Sequence, residues 1–310
     1  SLQKIMTIRS LDLLDIPTIA RYRNDVLTLD SARALTRGHP LGAMGLLAYI
    51  NPARHLYAAI SNGGETALLG GIIHTHGDTF AKLLYLAPSS QLHDPQLPAL
   101  IEHLAVQAGE WQAFHVIAEV DETSDVFPAL RMAGFSVYAW QRVWDASLLE
   151  KTGAGNGGEW KRMQSIDLPA VQSLHYQIVP QLLHPVEPAP NRVVGFVHAD
   201  MKCFANVTAG MYGIVLTPLI HPDEEHVSEK IISLVTNLPD RRGRPVYLNV
   251  RSYQAWLEPV LADLGAKASA RQAVMVKHLA RLVRTDQTVR VVPTNVGVQP
   301  SRMSRMDVDE

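Results

Sequence analysis

The C-terminal half of this 310-residue chain repeats landmarks of its N-terminal half in the same order. Leu130-x-x-x-Gly134 followed by Gln141-x-Val143 returns as Leu261-x-x-x-Gly265 followed by Gln272-x-Val274, at a constant offset of 131. Leu86-Ala87-Pro88, closing an apolar stretch, returns as Leu216-Thr217-Pro218 at an offset of 130, and Asp15-Ile16-Pro17 returns as Asp167-Leu168-Pro169 at 152. One such match is chance. An ordered series requires two copies of one structural unit. The falling offset makes the second copy about 22 residues shorter, with the whole deletion between its first helix and its central strand.

Period and punctuation place the elements. In the first copy, Ile5–Arg9 reads as a strand and Asp15–Tyr22 as a helix with Pro17 in its first turn. Residues 23–56 read as helix and loop interrupted by Gly38, Pro40, Gly42 and Gly45. Strands at Tyr57–Ser61 and Ala67–His74 flank an Asn62-Gly63 hairpin turn, and Phe80–Leu86 is the next strand. Ala99–Trp111 is an amphipathic helix, Phe114–Val120 a strand, Ser124–Met132 a helix ended by Gly134, and Ser136–Trp144 a strand. The second copy runs from a strand near Trp160 through a proline-broken segment at Pro180–Pro190. Then come a hairpin from Val193–Ala199 to Val207–Thr217, the helix Glu224–Leu238 and the strand Val246–Val250. The helix Tyr253–Leu264 and the strand Ala268–His278 close it.

Each half therefore predicts an α/β (α+β) mixed sheet flanked by helices. Two domains are expected, at 1–150 and 159–284. Residues 151–158, rich in glycine, form the linker, and 285–310, without periodicity, form a disordered tail.

A net charge of −2 gives no electrostatic ground for binding nucleic acid or an anionic membrane. The single cysteine, Cys203, excludes an intramolecular disulfide and suits a reducing cytoplasm. No run reaches the ~18 apolar residues of a membrane helix, no signal pattern opens the chain, and the missing initiator methionine points to a cleaved start.

This order of elements resembles the GNAT superfamily of acyl-CoA-dependent N-acyltransferases. Gly70 on the third strand, the Leu86-x-Pro88 exit from the fourth and Gly134-Phe135 after the last helix carry the resemblance. It covers residues 5–145 and, more faintly, 160–280. It implies tandem GNAT-like sheets with a degenerate second copy. It also implies a cofactor, acetyl-CoA or another acyl-CoA, whose pantetheine arm pairs with the edge exposed where the fourth and fifth strands splay apart. The pyrophosphate would lie on a glycine-bearing loop at a helix N-terminus. Carried onto this chain, the cofactor contacts fall on Leu86, Gln91, Leu92, His93, Asp94, Gln96 and Thr123.

Several of these positions depart from the family pattern. The family's Gln/Arg-x-x-Gly-x-Gly/Ala is here Gln91-Leu92-His93-Asp94-Pro95-Gln96. Both glycines are replaced, Pro95 removes an amide donor, and the Asp94 carboxylate repels a diphosphate. In the second copy Asp223, Glu224 and Glu225 stand at the helix start, which caps a helix well and holds a phosphate poorly. The family's tyrosine, a general acid four residues before the terminal Gly-Phe, is Leu130, and Leu261 in the second copy; its asparagine is Thr123.

Glu119, inside an apolar strand, is the candidate catalytic residue: a general base with raised pKa, or a carboxylate paired with an arginine such as Arg131 or facing solvent. His74-x-His76-x-Asp78 mimics a metal motif, yet Gly77-Asp78 belongs to a hairpin turn and no metal is expected. Arg241, Arg242 and Arg244 form a solvated loop or a phosphate clasp, the tryptophans are read as packing, and Cys203 as a packed thiol. The resemblance implies acyl transfer from acyl-CoA to an unidentified primary amine, on a small molecule or a peptide. The alternative is a catalytically inactive tandem module that binds a ligand or protein through the old cleft. Homo-oligomerisation is left open.

Overall fold

The structure is a computed structural model that describes residues 7–42, 55–62, 66–149 and 159–279. The expected linker at 151–158, the Gly63-Gly64 part of the first hairpin turn and the expected tail at 285–310 lie outside the described residues.

Proline positions and apolar runs set the elements. The first half opens with β1 (Ile8–Ser10), α1 (Ile16–Tyr22), the two-residue β2 (Leu27–Thr28) and α2 (Ser31–Arg37). β3 (His55–Ser61), β4 (Leu68–His74), β5 (Phe80–Ala87), α3 (Leu97–Glu110), β6 (His115–Asp121), α4 (Phe127–Met132) and β7 (Ser136–Asp145) follow. The second half has β8 (Trp160–Arg162), α5 (Leu168–Ile178), β9 (Phe196–His198), β10 (Cys203–Ala209) and β11 (Ile214–Ile220). It ends with α6 (Val227–Thr236), β12 (Val246–Arg251), α7 (Leu257–Asp263), β13 (Lys267–Ala268) and β14 (Gln272–His278). Pro17, Pro98, Pro128 and Pro169 stand in the first turns of α1, α3, α4 and α5, where a missing N–H costs no helical bond.

The repeat extends to individual interactions. Arg9 Nη2 meets Asp15 Oδ1 at 2.7 Å, and Lys161 Nζ meets Asp167 Oδ1 at 2.8 Å, again at an offset of 152. Each carboxylate also accepts a backbone N–H three residues upstream, from Asp12 and from Gln164, both at 2.9 Å. Gly134 and Gly265 both adopt φ +84°, the left-handed turn that glycine makes without strain. The N–H groups of Phe135 and Ala266 then reach back to Leu130 O and Leu261 O, each at 3.0 Å.

Two details of the sequence reading change. The offset falls from 152 at β1/β8 to 137 at β3/β9, 135 at β4/β10, 134 at β5/β11 and 131 at β6/β12. The largest deletion precedes β9, but the turns and the α3-bearing segment carry the remainder. The match of Leu86-Ala87-Pro88 with Leu216-Thr217-Pro218 is out of register by four residues. Pro218 lies inside β11 opposite Ala205, and the counterpart of Pro88 is Pro222. The strand tolerates Pro218 because its missing N–H points toward β12, which has already diverged there, so no ladder bond is lost.

One mixed sheet runs through both halves in the order β1-β3-β4-β5-β6-β14-β7-β12-β11-β10-β9-β8. β14 enters between β6 and β7, and β7 pairs on its other side with β12, so the two copies exchange their last strands. Gln141 and Gln272, the matched glutamines, stand opposite each other in the antiparallel β7–β14 pair. The exchange reaches the cores. The first takes Ala273 and Met275 from β14, and the second takes Trp144, Ala146 and Leu149 from the end of the first half.

Candidate functional site: two splayed strand pairs

Among the described residues the only parallel neighbours are β5–β6 and β11–β12. Each pairs for three residues, Phe80–Lys82 with His115–Ile117 and Ile214–Leu216 with Val246–Leu248, and then the strands part. Parting leaves backbone N–H and C=O groups facing a gap, and buried groups of that kind need partners. Both gaps are filled by the chain itself.

In the first half, β2 runs antiparallel to β5, with Leu27 opposite Leu86 and Thr28 opposite Tyr85. β4 already occupies the other edge of those residues, so β2 lies in the gap toward β6. Leu29 N–H donates to Leu84 O at 2.9 Å, Glu119 N–H donates to Leu29 O at 2.8 Å, and the Leu29 side chain is only 1% exposed. In the second half a single side chain does the same. Gln254 Nε2 donates to Pro218 O at 2.8 Å, its Oε1 accepts Ile220 N–H at 2.9 Å, and the residue is 1% exposed. At the offset of 134, Leu84 and Pro218 are equivalent, as are Leu86 and Ile220. The same edge positions are therefore taken twice, by a strand and by a primary amide.

The residues matched to cofactor contacts gather around the exit of β5. Leu86 is buried and faces β2. Gln91 ends an exposed 3-10 turn, Leu92 is buried, and His93 stands exposed beside Asp125, Nε2 to Oδ2 3.6 Å. Asp94 Oδ1 accepts the N–H of Gln96 at 2.8 Å, and Asp94 O accepts that of Leu97 at 3.0 Å. The first donors of α3 are thus bonded by Asp94 itself. Gln96 accepts from Ser61 Oγ at 3.4 Å, and Thr123 is exposed on the turn after β6. In the second half Lys230 bonds both Glu224 and Asp200. Its ammonium outweighs burial and holds both carboxyls below their usual range. Cys203 lies near these two, but burial pushes its thiol up to about 12, leaving it a neutral packed group.

Glu119 is 3% exposed at the seam of the two halves. Ser31 N–H donates to its Oε2 at 2.9 Å, and Arg251 Nη1 lies 3.9 Å from Oε1. Burial alone raises its pKa, but Lys82, Arg251 and the Ser31 N–H together hold it below the ordinary value. The raised pKa of a poised base is therefore not what this environment produces, and the partner is Arg251 from the second half rather than Arg131. Arg251 Nε also meets Glu187 Oε1 at 2.8 Å, and Glu187 accepts from Tyr253 OH at 2.7 Å and Tyr138 OH at 3.0 Å. Gln141 accepts from Arg251 and donates to Gln272 Oε1 at 2.9 Å.

The other candidates resolve into structure. His74 Nε2 bonds Asp78 O at 2.9 Å and stacks on His55 and Trp111, while the Asp78 carboxylate pairs with Arg192 at 3.1 Å. Arg241 Nε donates to Arg244 O at 3.0 Å and Arg244 Nη1 to Gly210 O at 2.6 Å, stitching their loop, while Arg242 is exposed. Trp140 lies under Arg271 at 4.3 Å, Trp144 is buried, Trp160 Nε1 donates to Lys230 O at 2.9 Å, and Trp256 sits at the surface. Sequence reasoning missed Leu27–Leu29, Glu187, Arg251 and Gln254. Gln254, a lone amide between apolar residues just after a strand, carried the only local signal.

Neither a protein-family model nor a curated protein matches the sequence. Solved structures match most of its length. One is a tandem GNAT protein from the clavulanic acid biosynthesis pathway, 13% identical, with a TM-score of 0.50 over 89% of this chain and 99% of that one. Another is a GCN5-related N-acetyltransferase from Sphaerobacter thermophilus, 13% identical, with a TM-score of 0.52 over 90% of this chain and 97% of that one. No helix among the described residues is long and apolar enough to cross a membrane. Two strand pairs that splay alike, two helix ends turned alike at Gly134 and Gly265, and this likeness across both halves give one conclusion: the chain has the tandem GNAT fold.

Proposed function

We propose that this protein is a tandem GNAT-fold binding module whose acyl-CoA clefts are closed by its own chain, and that it does not turn over acyl-CoA. We keep 1–150 and 159–284 as its two copies, joined by 151–158. The observation that carries the reading is the double occupancy of the splays. Leu84 O and Pro218 O, carbonyls on the strand edges that face the two splays, already bind Leu29 N–H and Gln254 Nε2. Admitting a pantetheine arm to the first cleft means expelling Leu29, whose exposure alone costs about 1.5–3 kcal/mol. Asp94 occupying the α3 donors supports the same reading, as do Leu130 and Leu261 where a tyrosine acid would stand. A lone, buried thiol suits a reducing cytoplasm.

The second reading, acyl transfer to a primary amine, is favoured by one observation: a fold neighbour is itself a GCN5-related N-acetyltransferase. Titration of the intact protein with CoA, acetyl-CoA and uncharged S-acetylpantetheine separates the two, read by calorimetry and thermal shift. No binding of S-acetylpantetheine at millimolar concentration is expected. Micromolar binding of it, or amine acetylation from acetyl-CoA, overturns the closed-cleft reading.

A further inference from the structure

The strand exchange brings together two histidines that stand 163 positions apart, one from each half. His115 opens β6 and His278 closes β14, directly opposite each other in the antiparallel pair. Leu279 N–H donates to Phe114 O at 2.9 Å just beyond them, so His115 and His278 form a non-hydrogen-bonded pair. Side chains come closest together in pairs of that kind. The two Nδ1 atoms lie 3.0 Å apart, and the rings cross at 88° with centroids 4.8 Å apart. His115 is half-buried and His278 exposed, so the nitrogens meet at the surface.

Two nitrogens each about 2.0–2.1 Å from one ion, at bond angles between square and tetrahedral, lie about 2.8–3.4 Å apart. The spacing here falls inside that interval, but a second pair shows that spacing alone is not enough. His55 and His74 also face each other across two strands, Nδ1 to Nδ1 3.4 Å, with rings 11° from parallel and centroids 5.7 Å apart. Their centroid separation equals the nitrogen gap plus two ring radii, so those nitrogens meet head-on. Such a pair shares a proton and leaves no room for an ion. At His115 and His278 the centroids are closer than that sum, so the ring axes are bent, as two ligands of one ion must be.

The surroundings favour the ligand form of both rings. The Pro185 backbone has only a carbonyl to offer, and it accepts a hydrogen bond from the His115 ring. The nitrogen that donates there is not the one turned to His278, so His115 Nδ1 keeps its lone pair. Carbonyl partners of this sort fix the tautomer and orientation of metal-binding histidines. In the metal-free pair His278 Nδ1–H donates to that lone pair. An ion requires the proton to sit on Nε2 of His278 instead, and the exposed ring makes that change through solvent with no net loss of a proton. Asp200, Cys203 and Glu224 also lie close together, but the Lys230 ammonium already stands where an ion would bind the two carboxylates.

We propose that His115 and His278 together bind one divalent transition-metal ion of the imidazole-preferring class, nickel(II), copper(II) or zinc, with water completing its coordination. The ion joins the first half to the second at the end of the exchanged strand. The proposal goes beyond the closed-cleft reading and does not depend on it.

The test uses the full chain without a polyhistidine tag, titrated with Ni²⁺ and, beside it, with Mg²⁺, which prefers oxygen ligands. Calorimetry reads affinity and thermal shift reads stability. Ni²⁺ is expected to bind at submillimolar concentration and to raise the melting temperature, and Mg²⁺ to do neither. Disturbing the groups around a metal ligand costs about 10–100-fold in affinity, so removing a ligand is expected to cost about tenfold or more. His115→Ala and His278→Ala, each checked for folding by circular dichroism, should both show that loss, and His55→Ala should show none. His278→Gln, at an exposed strand end, keeps the test open should either alanine variant fold poorly. No Ni²⁺ binding at millimolar concentration overturns the proposal, as does undiminished affinity in folded His278→Ala or His278→Gln. An equal loss in His55→Ala places the ion elsewhere and overturns it too. Binding of S-acetylpantetheine would overturn the closed clefts alone; failure of Ni²⁺ would overturn the histidine site alone.

Discussion

At Gln254 one side chain replaces a strand. Its amide satisfies a donor and an acceptor of β11, Ile220 N–H and Pro218 O, that no neighbouring strand reaches. Gln254→Ala leaves both groups unpaired in a buried site, and a loss of about 2 kcal/mol in unfolding free energy is expected, read from the urea midpoint at unchanged slope. Gln254→Glu keeps the acceptor but turns a carboxylate toward Pro218 O. It is expected to be more destabilising than alanine near neutral pH and to recover in acid, where a protonated carboxyl can donate again. Glu119 supplies the pH dependence. Its pKa in the fold lies below the ordinary 4.5. Its contribution is therefore complete above that value and is lost as pH falls through the depressed one. Denaturant midpoints measured across this acid range should fall less steeply in Glu119→Gln than in the parent; parallel curves would rule out this linkage. That Glu119 is buried was legible, because an apolar strand surrounds it. Its partners were not, because Arg251 is 132 positions away in the chain and no local pattern joins the two.

Elements were read as well as their punctuation allowed. Strands with sustained apolar runs and helices opened by proline fell within a few residues of the reading, as α3 and β6 show. β2 was invisible. Two paired residues have no period, and Val26–Leu29 reads only as part of an irregular stretch. Its role arises from tertiary packing, where it closes the gap between β5 and β6. The false register at Pro218 has a related cause: a proline inside a strand mimics a strand end unless the strand's free edge is known. Closed gaps make a direct prediction for hydrogen exchange in the ligand-free protein. The amides of Leu29, Glu119 and Ile220, bonded to Leu84 O, Leu29 O and Gln254, should be protected as strongly as interior sheet amides. Fast exchange at these three positions would mean open clefts. Leu29→Ala, emptying a fully buried site, is expected to cost about 2–5 kcal/mol and to release the Leu29 and Glu119 amides first.

At the scale of the whole molecule the exchange of β7 and β14 decides the behaviour. The repeat was legible as matched positions, and two copies in tandem followed from it. That the copies trade their last strands was not legible, because a strand's residues are the same whichever sheet it joins. Gln141 facing Gln272 marks where the copies meet. Residues 1–149 alone would lack β14, leaving β6 and β7 with unpaired edges and the first core without Ala273 and Met275. Exposed edges of this kind template aggregation. The isolated first half is therefore expected to be insoluble or oligomeric, and co-expression with residues 159–279 to rescue it by restoring both β14 and β12. The intact chain, with its cores joined through exchanged strands, is expected to unfold in one transition, with calorimetric and van't Hoff enthalpies in agreement. Two resolved transitions, or a soluble monomeric first half, would show that each copy completes its own core and that the exchange contributes little to cohesion.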